Sequence, residues 1–241
     1  MLENQEAKNN NEAWEYTLRT SVEPPVYGNT IMNRLTQSTT AQPVTLFVPW
    51  GVSPTRIMTN DYDQAALNRV KRYSDQLARY YGAPNAVLIM PADVYAIEIN
   101  GDNPDRVTTY FSEIRVAAND LGFSVQPWSA IREQNLDLYE EILQWECSPE
   151  ALFRSTPKAL WYDGLFPAAL SRNSALGEDA VHQSAFRYLQ ERIVEARVIE
   201  AVYTPIKLSM VSKQKDDIVD RELPRVYILE KELKFPWLKG S

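Results

Sequence analysis

Three short apolar runs separated by two stretches of helical period constrain this chain most. Val44-Thr45-Leu46-Phe47-Val48 ends in Pro49-Trp50-Gly51, Ala86-Val87-Leu88-Ile89-Met90 ends in Pro91, and Phe123-Ser124-Val125 follows Leu121-Gly122. Uniformly apolar runs of this length read as strands buried on both faces, the signature of a parallel sheet. Between the first two, Ala65, Leu67, Val70, Tyr73, Leu77 and Tyr80 recur at helical spacing over Asp61 to Tyr81, before Gly82-Ala83-Pro84 stops the pattern. Between the second and third, Asn103-Pro104-Asp105 reads as a helix start, with Val107, Tyr110, Phe111 and Ile114 behind it. Parallel strands require crossover connections, usually helical, so the order predicts a Rossmann-like α/β fold with a mostly parallel sheet between helices.

The remainder fits one such domain, expected over 13–241. Residues 1–12 are polar and Asn-rich without apolar period, which predicts a frayed terminus. A short helix around Thr36 to Thr40 has weak support. Leu136 to Glu146 reads as a helix, and Trp161 to Gly177 as a mixed segment with turn signals at Asp163-Gly164 and Arg172-Asn173. A long helix is predicted over Glu178 to Tyr203, with apolar Phe186, Leu189, Ile193, Val194, Val198 and Ile199 interleaved with Glu191, Arg192, Glu195 and Arg197. Strands are expected at Ile206 to Val211 and Val226 to Glu230.

At 241 residues, 44% hydrophobic and with 8 glycines, the chain can bury a full core without a staple. Cys147 stands alone, so it makes no internal disulfide and reads as a structural thiol; a reducing, cytoplasmic setting is the expectation. No run of about 18 apolar residues marks a membrane span. A net charge of −7 disfavours a long nucleic acid as partner, and the basic stretches at Arg69-Val70-Lys71-Arg72 and Lys213 to Lys215 have acidic neighbours, as solvated faces do.

Several chemistries lack their residues. The single histidine, His182, excludes His-rich zinc sites and allows a Ser-His-Asp triad only if it reaches Ser53. Neither a Gly-x-Gly-x-x-Gly nor a P-loop pattern occurs, so no nucleotide cofactor is expected, and no metal. What remains is a polar set near strand ends: Ser53 and Arg56 after the first strand, Asp93 and Tyr95 after the second, and Lys207 and Ser209 on the penultimate one. A hydroxyl, two cations and a carboxylate are the groups that hold an amino acid or a phosphorylated sugar. Lys207 and Ser209 alternate with Ile206, Leu208 and Met210, so the solvent face of an edge strand explains them equally.

The segments Val48-Pro49-Trp50-Gly51-Val52-Ser53-Pro54, Asp93-Val94-Tyr95, Val107-Thr108-Thr109-Tyr110, Ile206-Lys207-Leu208-Ser209-Met210, Leu223-Pro224-Arg225 and Pro236-Trp237 together resemble the isonitrile synthases of the pyoverdine/dityrosine biosynthesis family. That family carries a Phe-Pro-x-Lys-Ser-Pro turn after its first strand, an Asp-Gly loop after the second, and an Ile-Arg-Leu-Ser strand before a Pro-Trp-His segment. The matches are Ser53, Pro54, Asp93, Lys207 in place of Arg, Leu208, Ser209, Pro236 and Trp237; the departures are Val52, Val94 and Leu238. The resemblance implies an amino acid and ribulose 5-phosphate as substrates, the amino group becoming an isonitrile, with no cofactor. Ser53 and Arg56 would then hold a carboxylate or phosphate, Asp93 the amine or a proton, and Lys207 and Ser209 the rest of the anion, with Tyr95 against the substrate.

A second resemblance rests on Gly51-Val52-Ser53 with Tyr188-Leu189-Gln190-Glu191, which is similar to the Gly-Val-Ser turn and the Tyr/Glu helix of cyclodipeptide synthases. It implies attack of the Ser53 hydroxyl on an aminoacyl-tRNA, with Tyr188 and Glu191 positioning substrate and moving protons. The family's Tyr-to-Glu spacing is one residue longer, its basic tRNA-binding helix is not evident here, and an apolar-facing Tyr188 also fits a core position. A third reading is a binding protein that kept the fold and lost the chemistry, to which Val52, Val94 and Leu238 point.

Overall fold

The computed structural model describes residues 2–21, 24–39, 42–52, 59–81, 85–156, 161, 165–172, 177–210 and 223–228. Its centre is a five-stranded sheet in the order β3-β2-β1-β4-β5, built from β1 (Thr45–Trp50), β2 (Ala86–Pro91), β3 (Ser124–Val125), β4 (Ile206–Ser209) and β5 (Arg225–Tyr227). Every ladder is parallel, as the apolar runs predicted, and one isolated antiparallel bridge, Val26 to Arg225, joins the amino-terminal segment to the far edge.

Alternation along the strands divides the core. Leu46, Val48, Val87, Ile89, Ile206 and Leu208 face one side. There they meet α1 (Leu2–Thr20), α2 (Gly28–Gln37), α3 (Asp61–Tyr81) and α4 (Pro104–Asp120) through Ala13, Leu35, Val70, Leu77, Tyr110 and Ile114. Phe47, Leu88 and Met90 face the other. That side is covered by α5 (Trp128–Gln134), α6 (Leu136–Glu146), α7 (Pro149–Ser155), α8 (Phe166–Arg172) and α9 (Glu178–Tyr203). Each large apolar side chain buried this way contributes about 1.5–3 kcal/mol, which is why both faces of the sheet had to be apolar in sequence.

Local chemistry sets the ends. Asn103 caps α4, its side chain accepting from the Arg106 N–H at 3.0 Å, with Pro104 in the first turn; Gly122, at φ +80°, takes the left-handed turn that ends it. Several bounds differ from the sequence reading. β1 continues through Pro49 and Trp50 because both stay in register with Met90 and Pro91. β4 stops at Ser209, and β5 stops at Tyr227, residues 229 and 230 of the expected strand lying outside the described residues; of the weak helix around Thr36 to Thr40, Thr36 and Gln37 end the longer α2 and Thr40 lies outside the described residues. Residues 2–12 have helical backbone as the first part of α1, whose second half docks through buried Ala13 and Thr17, the latter hydrogen-bonded to Tyr73 at 3.0 Å. No helix among the described residues is long and apolar enough to cross a membrane.

Candidate functional site

In strand order 3-2-1-4-5 the order reverses between β1 and β4, and open α/β sheets bind their ligands outside the carboxyl ends of strands at such a switch point. The segment leaving β1 begins with Gly51 and Val52; Ser53 and Arg56 lie outside the described residues, as do Pro54, Pro236, Trp237 and Leu238. Its two ends are pinned by one face of α4. The Trp50 indole N–H donates to the Tyr110 hydroxyl at 3.1 Å, which donates to Asp63 Oδ1 at 2.9 Å. Three residues along, Glu113 Oε2 accepts from the Thr59 N–H at 2.9 Å and its hydroxyl at 2.8 Å. These bonds, the backbone one first, hold the Glu113 carboxyl below its ordinary pKa.

β4 is an interior strand, flanked by β1 and β5, and all four of its residues are buried. This corrects the edge-strand explanation: Lys207 and Ser209, each 2% exposed, face the α9 side of the sheet beside Phe47, not solvent. Alternation misled because a buried polar face and a solvated one have the same period.

Asp93 stands just beyond β2 and is committed to α5. The residue before that helix, Pro127, offers no side-chain acceptor, and Asp93 supplies one from across the chain. Its Oδ1 accepts from the Ser129 N–H at 3.1 Å and its Oδ2 from the Ser129 hydroxyl. Tyr95 follows on a π-helical turn, Tyr95–Ile99, rather than on the open loop expected from sequence. Such turns add one residue to a helical winding and recur at functional sites. Here the turn aims the Tyr95 ring at α9, where Tyr188 meets it edge-on with centroids 5.5 Å apart and the Arg192 guanidinium lies 5.5 Å over its face. Burial pushes the Tyr95 hydroxyl well above the ordinary tyrosine range, and the nearby Glu195 carboxylate adds to the effect. The hydroxyl is thus a hydrogen-bond donor, and it has no well-formed hydrogen bond among the described residues.

Glu191 is buried at the meeting of three helices. Its Oε1 accepts from Trp128 Nε1 at 2.6 Å and faces Arg132 Nη1 at 3.5 Å; its Oε2 accepts from the Tyr139 hydroxyl at 2.9 Å. Arg132 also pairs with Glu98 of the π turn at 2.6 Å, which ties that turn to α5. Glu195 pairs with Arg192 at 2.9 Å.

Tyr95, Tyr188 and Glu191 are therefore brought together, Lys207 and Ser209 share a sheet face with them, and Asp93 sits at the start of the same wall. Sequence reasoning missed Arg192 and Glu195, whose charges on a long helix suggested solvent, and Trp128, Tyr139 and Arg132, which carry no motif. His182 is exposed and contacts Phe166, with ring centroids 4.3 Å apart; Cys147 is buried. No group of His, Cys, Asp and Glu among the described residues is arranged to hold a metal ion. Two open clefts, of about 360 and 640 Å³, lie along α3 and α4 and include no residue of α9, β4 or β5.

Neither a family model nor a curated protein sequence matches this chain. Solved structures do. The PvcA protein from Pseudomonas aeruginosa, of the isonitrile synthase family, superposes with a TM-score of 0.57 at 12% identity, over 92% of this chain and 78% of PvcA. A cyclodipeptide synthase from Candidatus Glomeribacter gigasporarum, bound to Phe-tRNAPhe, gives 0.46 at 13% identity, over 78% of this chain and 89% of that one. Another from Fluoribacter dumoffii gives 0.46 at 10%, over 79% and 94%. The chain shares the Rossmann-like fold of PvcA.

Proposed function

We propose that the chain is a biosynthetic enzyme of the isonitrile-synthase type, acting on an amino acid with a sugar phosphate such as ribulose 5-phosphate as the second substrate. The observation that carries this reading is the placement of Lys207 and Ser209 on an interior strand at the switch point between β1 and β4, where open α/β sheets bind their ligands. A lysine and a hydroxyl on one strand face are donors of the kind that meet an anionic group. The PvcA fold and the order of short patterns along the sequence support the same class.

In this reading Lys207 and Ser209 hold an oxyanion, and Ser53 and Arg56, which follow β1 in the sequence, are further candidates for the same anion. Tyr95, protonated at any working pH, donates a hydrogen bond to a substrate oxygen. Tyr188 packs against Tyr95, and Glu191, whose two oxygens already accept from Trp128 and Tyr139, positions α5, α6 and α9 around the site. Asp93 acts through α5: to serve as a base it would have to release Ser129, so its role is positional.

The test is direct. Purified protein is incubated with the twenty amino acids and ribulose 5-phosphate labelled throughout with carbon-13, and products are read by mass spectrometry. An amino acid that gains one labelled carbon and loses two hydrogens is the expected product, lost in Lys207→Gln. An aminoacyl ester on Ser53 after incubation with charged tRNA would assign the chain instead to cyclodipeptide-synthase-like chemistry.

A further inference from the structure

The outer groove between α3 and α4 plays no part in the site at the switch point. Its two clefts, of about 360 and 640 Å³, meet at Leu121, which lines both. The first is otherwise lined by Gln64, Glu113, Val116, Ala117 and Asp120, so it carries two carboxylates and no cation. The second sets Lys71 and Arg79 beside the single carboxylate of Asp75. One end of the groove is therefore acidic and the other basic. Between them Val116 is 63% exposed, the most of any large aliphatic side chain among the described residues.

Two of these charges meet no opposite charge within the chain. Among the described residues the Asp120 side chain makes no hydrogen bond or ion pair, and the Arg79 guanidinium donates only to Gln76, at 3.2 Å. Lys71, by contrast, pairs with Asp75 one helical turn away, and Glu113 holds Thr59. Small-molecule pockets enclose most of their ligand, whereas here the charges stand exposed beside open clefts, as on a protein-binding face. The partner has to bring a carboxylate to Arg79, a cation to Asp120 and an apolar group to Val116. A second copy of this chain, turned about a two-fold axis through the groove near Leu121, brings all three, because in such a contact whatever one residue gives another it receives from that residue's copy. The groove runs from Gln64 to Arg79 along α3, which at about 1.5 Å per residue is about 22 Å. A strip of that length, two helices wide, is at the small end of specific interfaces, so the contact is reversible rather than obligate.

We propose that the chain forms a two-fold dimer through the α3–α4 groove, Asp120 of each copy pairing with Arg79 of the other and Val116 packing at the centre. The interface uses no residue of β4, β5 or α9, and it stands or falls apart from the proposed reaction.

The test is sedimentation equilibrium of the full chain at micromolar to sub-millimolar concentrations. Wild type is compared with Arg79→Glu, Asp120→Arg, Val116→Lys and the charge-swapped Arg79→Glu/Asp120→Arg. For wild type the mass should rise with concentration toward twice that of the chain, and added salt should weaken the association. Each single reversal creates two like-charge contacts per dimer and should weaken it about tenfold or more, as should a lysine at the apolar centre; the swapped variant restores unlike pairs and should recover most of the affinity. All three positions are exposed, so circular dichroism should match wild type throughout. A chain that stays monomeric over the whole range leaves the groove to a different partner and overturns the proposal. A dimer equally tight in all the single variants places the contact elsewhere and also overturns it. Weakening by the single reversals without recovery in the swapped variant overturns it too, since Asp120 and Arg79 then do not face one another.

Discussion

Replacing Glu191 by alanine should be among the most destabilising single changes in the molecule, because one carboxylate there satisfies donors from α5 and α6. The bonds from Trp128 Nε1 at 2.6 Å and from the Tyr139 hydroxyl at 2.9 Å are charge-assisted, about 1.5–3 kcal/mol each. The contact to Arg132 is long at 3.5 Å, and Arg132 keeps Glu98, so it adds about 0–1 kcal/mol. The loss in Glu191→Ala is then about 3–7 kcal/mol, a large share of the roughly 12–15 kcal/mol that bounds a domain this size. Urea unfolding followed by circular dichroism gives the number, with the m-value checked against wild type. A double-mutant cycle of Glu191→Gln with Tyr139→Phe isolates one bond, for which about 1.5–3 kcal/mol of coupling is expected. A Glu191→Ala loss under 1 kcal/mol, or coupling near zero, would refute the argument that this carboxylate ties the three helices together.

Other expectations follow from the same geometry. Asp93→Ala should cost about 1–2 kcal/mol by stripping α5 of the acceptor that Pro127 cannot provide, and the amide exchange of Ser129 should quicken; unchanged exchange would remove the capping role. Burial, then the neighbouring Glu191 carboxylate, pushes the Tyr139 hydroxyl up to about 12. A group raised in the fold stabilises it fully below its unfolded value near 10, and that share is lost as pH rises from about 10 to 12. Stability measured across that window should fall less steeply in Tyr139→Phe. Glu113 has the opposite sign: its lowered carboxyl pKa contributes above its unfolded value and is lost as pH falls through the folded one. In wild type, acid should therefore lower the protection factor of the Thr59 amide, its exchange rate being compared with the intrinsic one at each pH, and Glu113→Gln should show a flatter pH dependence of protection.

The sheet was legible because both of its faces are buried along β1 and β2, where hydrophobic runs have no polar interruption. Helices α3, α4, α6 and α9 were legible from period and from caps such as Asn103-Pro104. The polar side chains on β4 were visible as a pattern but ambiguous in meaning, since period two reports alternation and not what lies on either side. Only the strand order, with β5 beyond β4, removes solvent as the explanation. The π turn at Tyr95 left no trace because it is a change in winding rather than composition. Glu191 was a candidate only through a resemblance, and nothing in the sequence marked Glu195 as buried: α5 and α6 cover the charged face of α9, the partners of Glu191, namely Trp128, Arg132 and Tyr139, come from segments far away in sequence, and Glu195 pairs with Arg192 on its own helix.

The account stands on the claim that the buried polar face of β4 at the switch point holds the anionic end of an amino-acid or sugar-phosphate substrate. Mass spectrometry of wild type and Lys207→Gln with amino acids and carbon-13 ribulose 5-phosphate tests it most directly. The account predicts one labelled carbon on the nitrogen of an amino acid in wild type and none in Lys207→Gln at matched folding. Equal product from the two proteins, or no labelled product with any amino acid, would contradict it.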